Sequence, residues 1–272
     1  MTTFLFWNLK EKPLQAIIAR LTLRYEVDVL MLAEYDDNIP LDNLIRMLNK
    51  PGENYDYVPR KSCQRIEIFT RFPEEFMPPI YEEDKFTIRH LKLPGLTDIL
   101  LAVSHLSSKL YADEYDQFKE CENLAQKIRN AEAKIGHAKT VLVGDLNMNP
   151  FESGVVNASA LHAVMSRQLA KRHGRIVQGQ QYPFFYNPMW SLFGDSTPGP
   201  PGTYYYSGTK QKAFFWHMFD QVLIRPELLD RFDNQDLEIL QSDGHTPLLT
   251  KKGLPNRKMA SDHLPILFKL NL

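Results

Sequence analysis

Long apolar runs, an excess of charge of either sign, patterned cysteines and internal repeats are all missing from this chain of 272 residues. No window approaches the ~18 consecutive apolar residues of a membrane-spanning helix, so no membrane partner is expected. The 32 Lys and Arg against 33 Asp and Glu leave a formal charge of −1, which argues against wholesale electrostatic attraction to nucleic acid or to a bilayer. The two cysteines, Cys63 and Cys121, have neither metal nor redox spacing and fit a reducing compartment. The opening residues MTTFLFWNLK lack a basic segment ahead of a cleavable apolar core, and the expected location is cytoplasmic. What is present, 43% hydrophobic and 24% charged residues, is the composition of a globular chain able to bury a sizeable core. Disorder, collagen and coiled coil are excluded.

Short apolar runs alternate with helical patterns in the first half. Thr3–Trp7 reads as a buried strand. Pro13 suits a first helical turn, and Leu14, Ile17, Ile18 and Leu21 follow at helical spacing. Val27–Ala33 is a second buried strand, Pro40–Asn49 a second helix, and Tyr55–Pro59 and Ile66–Arg71 are strands, the latter alternating with Ile66 and Ile68 on one face. Ile99–Ser104 and Thr140–Gly144 flank a long helical pattern from about Tyr111 to Lys134. The second half predicts a helix near Ala158–His173, a Pro- and aromatic-rich stretch from Tyr182 to Gly202, and strands at Thr203–Ser207, Phe219–Ile224 and Leu264–Leu270. No linker divides the chain, so one layered α/β domain over residues 1–272 is expected.

Polar residues recur where these strands end. Asn8 follows the first and Glu34 the second; His105 follows Ile99–Ser104; Asp145 and Asn147 follow Thr140–Gly144. Asp220 starts a later strand, and Asp262 and His263 precede the last. Loops at strand ends project side chains that a rigid sheet holds in place, which is where ligands gather in open α/β sheets. Carboxylate and amide oxygens suit a hard cation such as Mg²⁺, and histidines beside it suit phosphoryl chemistry. Taken singly, each residue is an ordinary cap or turn residue. Their coincidence carries the argument.

The ordered set Trp7-Asn8, Ala33-Glu34, Ser104-His105-Leu106, Gly144-Asp145-Leu146-Asn147-Met148-Asn149-Pro150, Asp220-Gln221-Val222-Leu223 and Ser261-Asp262-His263 resembles the endonuclease/exonuclease/phosphatase superfamily, from residue 4 to residue 268. The resemblance implies a four-layer α/β sandwich, two mixed β-sheets packed face to face with helices outside. It implies a metal-dependent phosphoric-ester hydrolase using Mg²⁺, with Mn²⁺ as an alternative. Glu34 is similar to the principal metal-binding carboxylate, with Asn8 and Asp262 in the same cluster. Asp145 resembles the acid that orients or deprotonates the attacking water, and Asn147 the amide that steadies it. His263 resembles the histidine on the scissile phosphate, Asp220 its orienting partner, and His105 a residue on the phosphate side. One departure stands out: abasic endonucleases often carry an acid two residues after the asparagine, where this chain has Lys10. That makes an abasic endonuclease and a second metal less expected.

The superfamily's substrates range from DNA to lipids, and a nucleic-acid substrate is the leading expectation. A small or lipid phosphoester is the alternative, and a catalytically idle binding module a more distant one. Residues 1–150 hold 19 basic and 23 acidic side chains, residues 151–272 hold 13 and 10. The basic groups Arg167, Lys171, Arg172 and Arg175; Lys210 and Lys212; and Lys251, Lys252, Arg257 and Lys258 are read either as holding backbone phosphates or as solvated loop charges. Thirteen of the 31 aromatics fall between Tyr182 and Phe219. As a group they are read as core of the second sheet, with Trp216, Tyr186 and the Phe185–Trp190 segment as substrate-facing exceptions.

Overall fold

The computed structural model describes residues 1–209, 211 and 213–272. The first half opens with β1 (Thr2–Asn8), α1 (Gln15–Arg24), β2 (Val29–Ala33), α2 (Leu41–Leu48), β3 (Asp56–Val58) and β4 (Ile66–Thr70). Next come β5 (Pro79–Glu83), β6 (Phe86–Leu91), β7 (Ile99–His105), α3 (Glu114–Ile135) and β8 (Thr140–Asp145). Short pieces follow: α4 (Ser153–Val156), β9 (Ala163–Val164), α5 (Arg167–Ala170), β10 (Gly174–Val177), β11 (Gln180–Pro183), β12 (Phe185–Tyr186), β13 (Tyr204–Tyr205) and β14 (Trp216–His217). The chain ends with β15 (Asp220–Ile224), β16 (Glu238–Ile239) and β17 (Ile266–Leu270).

One sheet has six strands in the order β16-β17-β1-β2-β4-β3, the other seven in the order β5-β6-β7-β8-β15-β12-β9. Both are mixed. β1 runs parallel to β2, and β7 to β8, each through a helical crossover of the kind parallel pairing demands. β17 and β15 return antiparallel beside them.

Alternation along the second sheet sorts its side chains between two layers. Leu101, Val103, Val141, Val143, Val222 and Ile224 share a core with the first sheet and α1, whereas Leu100, Ala102, Leu142 and Leu223 face Leu124, Ala125 and Ile128 of α3. The sheets therefore pack face to face, with α1 and α2 on the first and α3 on the second, the expected four-layer sandwich. α3 is bounded chemically: Asp113 and Asp116 form a reciprocal capping box, and Gly136 ends the helix at φ 86°. No helix among the described residues is long and apolar enough to cross a membrane.

Several expectations fail for tertiary reasons. Ala158–His173 is not a helix. His162 and His173 take φ of 52° and 63°, Ala163 pairs with Phe185 at a sheet edge, and only the four residues of α5 are helical. β4 does not alternate between core and solvent, because Glu67 is also buried, bonded to Tyr57 and Arg60. β5 and β6 have no counterpart in the sequence reading. Their charges are neutralised internally, Arg89 pairing with Glu82 while both are buried. Thr203–Ser207 contributes only the two residues of β13, in a separate ribbon with β14 rather than the second sheet.

Candidate active site

Strand register decides which polar residues meet. His105 pairs with Asp145 across β7 and β8, and Asp145 with Asp220 across β8 and β15, so the three form one row at a sheet edge. Glycine is required next to that row: a Cβ on Gly144 would lie 2.0 Å from the Ser104 carbonyl oxygen. Asn8 pairs with Ala33, which puts Glu34 just beyond it at the same edge of the molecule. The approach to β17 is tied there by Trp7 Nε1, which donates to the His263 carbonyl at 2.9 Å, and by the Ser261 hydroxyl, which donates to the Asn8 carbonyl at 2.6 Å. All eight sequence-predicted residues converge. Glu34, His105, Asp145, Asn147, Asp262 and His263 line a cavity of about 730 Å³; Asn8 and Asp220 are fully buried behind it.

Two of these positions carry backbone strain. Glu34 and Asn147 sit at φ of 49° and 51°, a left-handed region that non-glycine residues rarely adopt and that clusters at functional sites. The Asn8 amide NH2 bridges the two carboxylates, 3.2 Å from Glu34 Oε1 and 2.9 Å from Asp145 Oδ2. His105 Nε2 stands 3.1 Å from Glu34 Oε1 and 3.9 Å from Asp145 Oδ2. Asp145 Oδ1 accepts the Asn147 backbone N–H at 2.8 Å, and the Asn147 side-chain amide donates to the Leu106 carbonyl at 2.9 Å. His263 Nδ1 lies 2.8 Å from Asp220 Oδ2.

The electrostatics separate these groups into fixed charges. Burial raises the Glu34 carboxyl, but the hydrogen bond and charge of His105, with Lys10 and Asn8, outweigh it and hold Glu34 at about 2. Burial lowers His263, yet Asp220 and Asp145 push it up to about 10, so it is an imidazolium at neutral pH. Asp145 is raised above the ordinary carboxylate value, by burial first; His263 pulls it down and Asp220 pushes it up.

Asp145, Asp220 and His263 come close enough together to invite a metal reading. Within this group His263 Nδ1 and Asp220 Oδ2 already stand 2.8 Å apart as an ion pair. Of the oxygen donors, Glu34 is ionised and lines the cavity, and Asp262, also in the cavity wall, has a buried Oδ1 with no hydrogen-bond partner among the described residues. These donors fit a divalent cation such as Mg²⁺. A further histidine–carboxylate group, His90, Asp98 and His137, lies outside the cavity. There the Lys139 N–H donates to His137 Nδ1 at 3.2 Å, which leaves the proton on Nε2 to bond Asp98 at 3.0 Å: a hydrogen-bonded clamp.

No protein-family model matches the chain, and no curated protein matches it. Solved structures do. The chain is similar to an endonuclease/exonuclease/phosphatase family protein from Leptotrichia buccalis C-1013-b, at 13% identity and a TM-score of 0.59 over 100% of both chains. It is similar to the 3′ phosphatase NExo from Neisseria bound to a product DNA hairpin, at 12% identity and a TM-score of 0.58 over 100% of both. It is also similar to D. rerio TDP2 complexed with a single-strand DNA product, at 15% identity and a TM-score of 0.55 over 100% of this chain and 99% of that one. The chain has the endonuclease/exonuclease/phosphatase fold.

Within this fold, the structure adds residues that the sequence reading passed over. Tyr204 packs its ring 4.7 Å from that of His263. His217 lines the cavity with Nδ1 3.1 Å from the Asn149 amide, and burial with the nearby Lys109 charge holds it neutral at about 4. Asn149 of the Gly144–Pro150 motif was the available signal for it.

Among the described residues, the charge expectation does not hold. The described cations lining the cavity, Lys10, Arg60, Arg65 and Lys109, all come from the acidic first half. Arg167 instead holds the Leu229 and Phe232 carbonyls, Lys171 pairs with Asp230, Arg175 bonds His162, and Lys251, Lys252, Arg257 and Lys258 border a separate shallow depression. Lys210 and Lys212 lie outside the described residues. Tyr186 and the segment Phe185–Met189 are core rather than substrate-facing, because Asn187 turns inward to bond Gln221. The exposed aromatics that line the cavity, among the described residues, are Tyr111, Tyr206 and Phe214.

Proposed function

We propose that the protein is a divalent-metal-dependent phosphoesterase that hydrolyses phosphodiester bonds of nucleic acid by in-line attack of water. The observation that carries the reading is the row His105–Asp145–Asp220 closed by His263 over a cavity that also holds Glu34 and Asp262. Glu34 and Asp262, with Asn8 behind them, would hold Mg²⁺, which supplies neutralisation of the phosphate oxygens when bound. Asp145 orients the attacking water and takes its proton, its raised carboxyl being better matched to that task than an ordinary aspartate. Asn147 steadies the water and the phosphate. His263, charged and fixed by Asp220, stabilises the pentacoordinate phosphorus, and His105 supports the same charge from the Glu34 side.

Nucleic acid is favoured by the pairing of cavity cations with exposed rings, since bases stack on aromatic faces while cations track the backbone. The Neisseria phosphatase and the D. rerio protein, both solved with DNA products, support the same choice. A second reading, a small or lipid phosphoester, is favoured by the cavity itself: about 730 Å³ is within the usual range of small-ligand sites. Assay of single-stranded DNA, duplex DNA, abasic duplex, RNA and inositol polyphosphates with Mg²⁺ decides between them. Turnover of a nucleic acid is the expected result, and cleavage of the small phosphoester alone would install the second reading.

A further inference from the structure

The two oxygens of Glu34 are used unequally. Oε1 takes both protein donors, His105 Nε2 at 3.1 Å and the Asn8 amide at 3.2 Å. Oε2 faces the Lys10 ammonium at 3.5 Å. With Oε1 already taken by two donors, a cation at Glu34 would compete with Lys10 for Oε2. Two positive charges cannot share one carboxylate oxygen at contact distance without strong repulsion.

Lys10 is held in place by its backbone rather than by its side chain. Lys10 and Glu11 are consecutive left-handed residues, at φ of 55° and 54°. The Lys10 N–H donates to Asn8 Oδ1 at 3.0 Å, and the Glu11 N–H donates to the Glu34 carbonyl at 2.9 Å. The turn is thus laced to two residues of the proposed metal cluster, Asn8 and Glu34, and the strain of two such residues persists only where the surroundings over-determine it. The side chain, by contrast, is 56% exposed on a flexible stem, so an arriving cation can push it toward solvent while its backbone tether keeps its charge nearby.

We infer that Lys10 is a tethered counter-cation for Glu34, an internal competitor that a divalent metal must displace, so that metal affinity is lower than the oxygen donors alone would provide. This rests on the reading of Glu34 as the metal-binding carboxylate. Lys10 is on this account a positioning residue: it sets the occupancy of Glu34 and takes no part in bond breaking.

Mn²⁺ titration of the full chain, followed by the electron paramagnetic resonance signal of free Mn²⁺ at constant ionic strength and without substrate, tests it. Lys10→Met and Lys10→Gln are each expected to lower the Mn²⁺ Kd about tenfold, the size of effect that removing one nearby, partly screened charge gives. Lys10→Arg, which keeps the charge, stays near wild type. Lys119→Met, the same charge change on α3, leaves the Kd unaltered. Glu34→Gln abolishes binding. Circular dichroism of each variant verifies the fold. If Glu34→Gln loses binding while both neutral variants at position 10 keep the wild-type Kd or weaken it, the Lys10 inference is overturned alone. If binding survives Glu34→Gln, the reading of Glu34 falls and the Lys10 inference with it.

Discussion

His263 Nδ1 and Asp220 Oδ2 stand 2.8 Å apart with side-chain exposures of 7% and 1%, so the imidazole is fixed in one orientation and kept charged. Asp220→Asn removes the charge that keeps the imidazole protonated, and kcat is expected to fall by roughly 10²–10⁴, as when a triad aspartate is neutralised. His263→Ala and Asp145→Asn are each expected to cost at least about two orders of magnitude. Steady-state rates on the cleaved substrate measure all three, and wild-type turnover in either of the latter two would sink the site assignment.

Chelation with EDTA is expected to abolish turnover and added Mg²⁺ to restore it. Glu34→Gln should lower the rate by at least about two orders of magnitude at saturating Mg²⁺. A Glu34→Gln enzyme restored to full activity by metal would place the metal elsewhere.

Tyr206 lines the cavity and is 51% exposed, free to present its ring to a base. Tyr206→Ala is expected to raise KM for single-stranded nucleic acid about tenfold with kcat little changed, the usual cost of one lost stacking contact. An unchanged KM would remove the stacking role.

Gly144 lies under the Ser104 carbonyl, where a Cβ would be 2.0 Å from the oxygen. Gly144→Ala must push β7 and β8 apart, at a cost of about 3 kcal/mol. Urea denaturation measures it; a midpoint equal to wild type would show that the strands yield freely.

Asp243 is buried, accepts the His245 and Thr246 N–H groups and bonds Arg20 Nε at 2.7 Å. Burial raises its carboxyl, but these donors and the Arg20 charge bring it below the ordinary value. A depressed folded-state pKa means the contribution to stability is complete above the unfolded value, about 3.9, and is lost as pH falls through the folded one. The loss of stability between pH 6 and pH 3 is therefore expected to be smaller in Asp243→Asn than in wild type. Equal losses in the two proteins would assign the acid sensitivity to other carboxylates.

The main strands of both sheets were legible because their apolar runs are long enough to be read locally, as β1, β2, β7 and β8 show. The site was legible for a related reason: residues at the ends of those strands inherit their position from the strand. β5 and β6 were missed because Arg89 and Glu82 look like solvent charges until their pairing is seen. Ala158–His173 looked helical because its composition is helical, while the left-handed turns at His162 and His173 come from packing against β12.

The chain's lack of net charge was a property of the sequence alone, as were the strand-end residues Asn8, Glu34, His105, Asp145, Asn147, Asp220, Asp262 and His263. Which cations face the cavity was decided only by the tertiary structure. Linear position places Arg167 and Arg175 in a basic half, but hydrogen bonding turns them into the scaffold; it places Lys10 and Arg60 in an acidic half, but strand register delivers them to the cleft. Charge counted along a chain averages over faces that folding separates. Coulombic interaction depends on distance and burial, and those exist only once the sheets have packed.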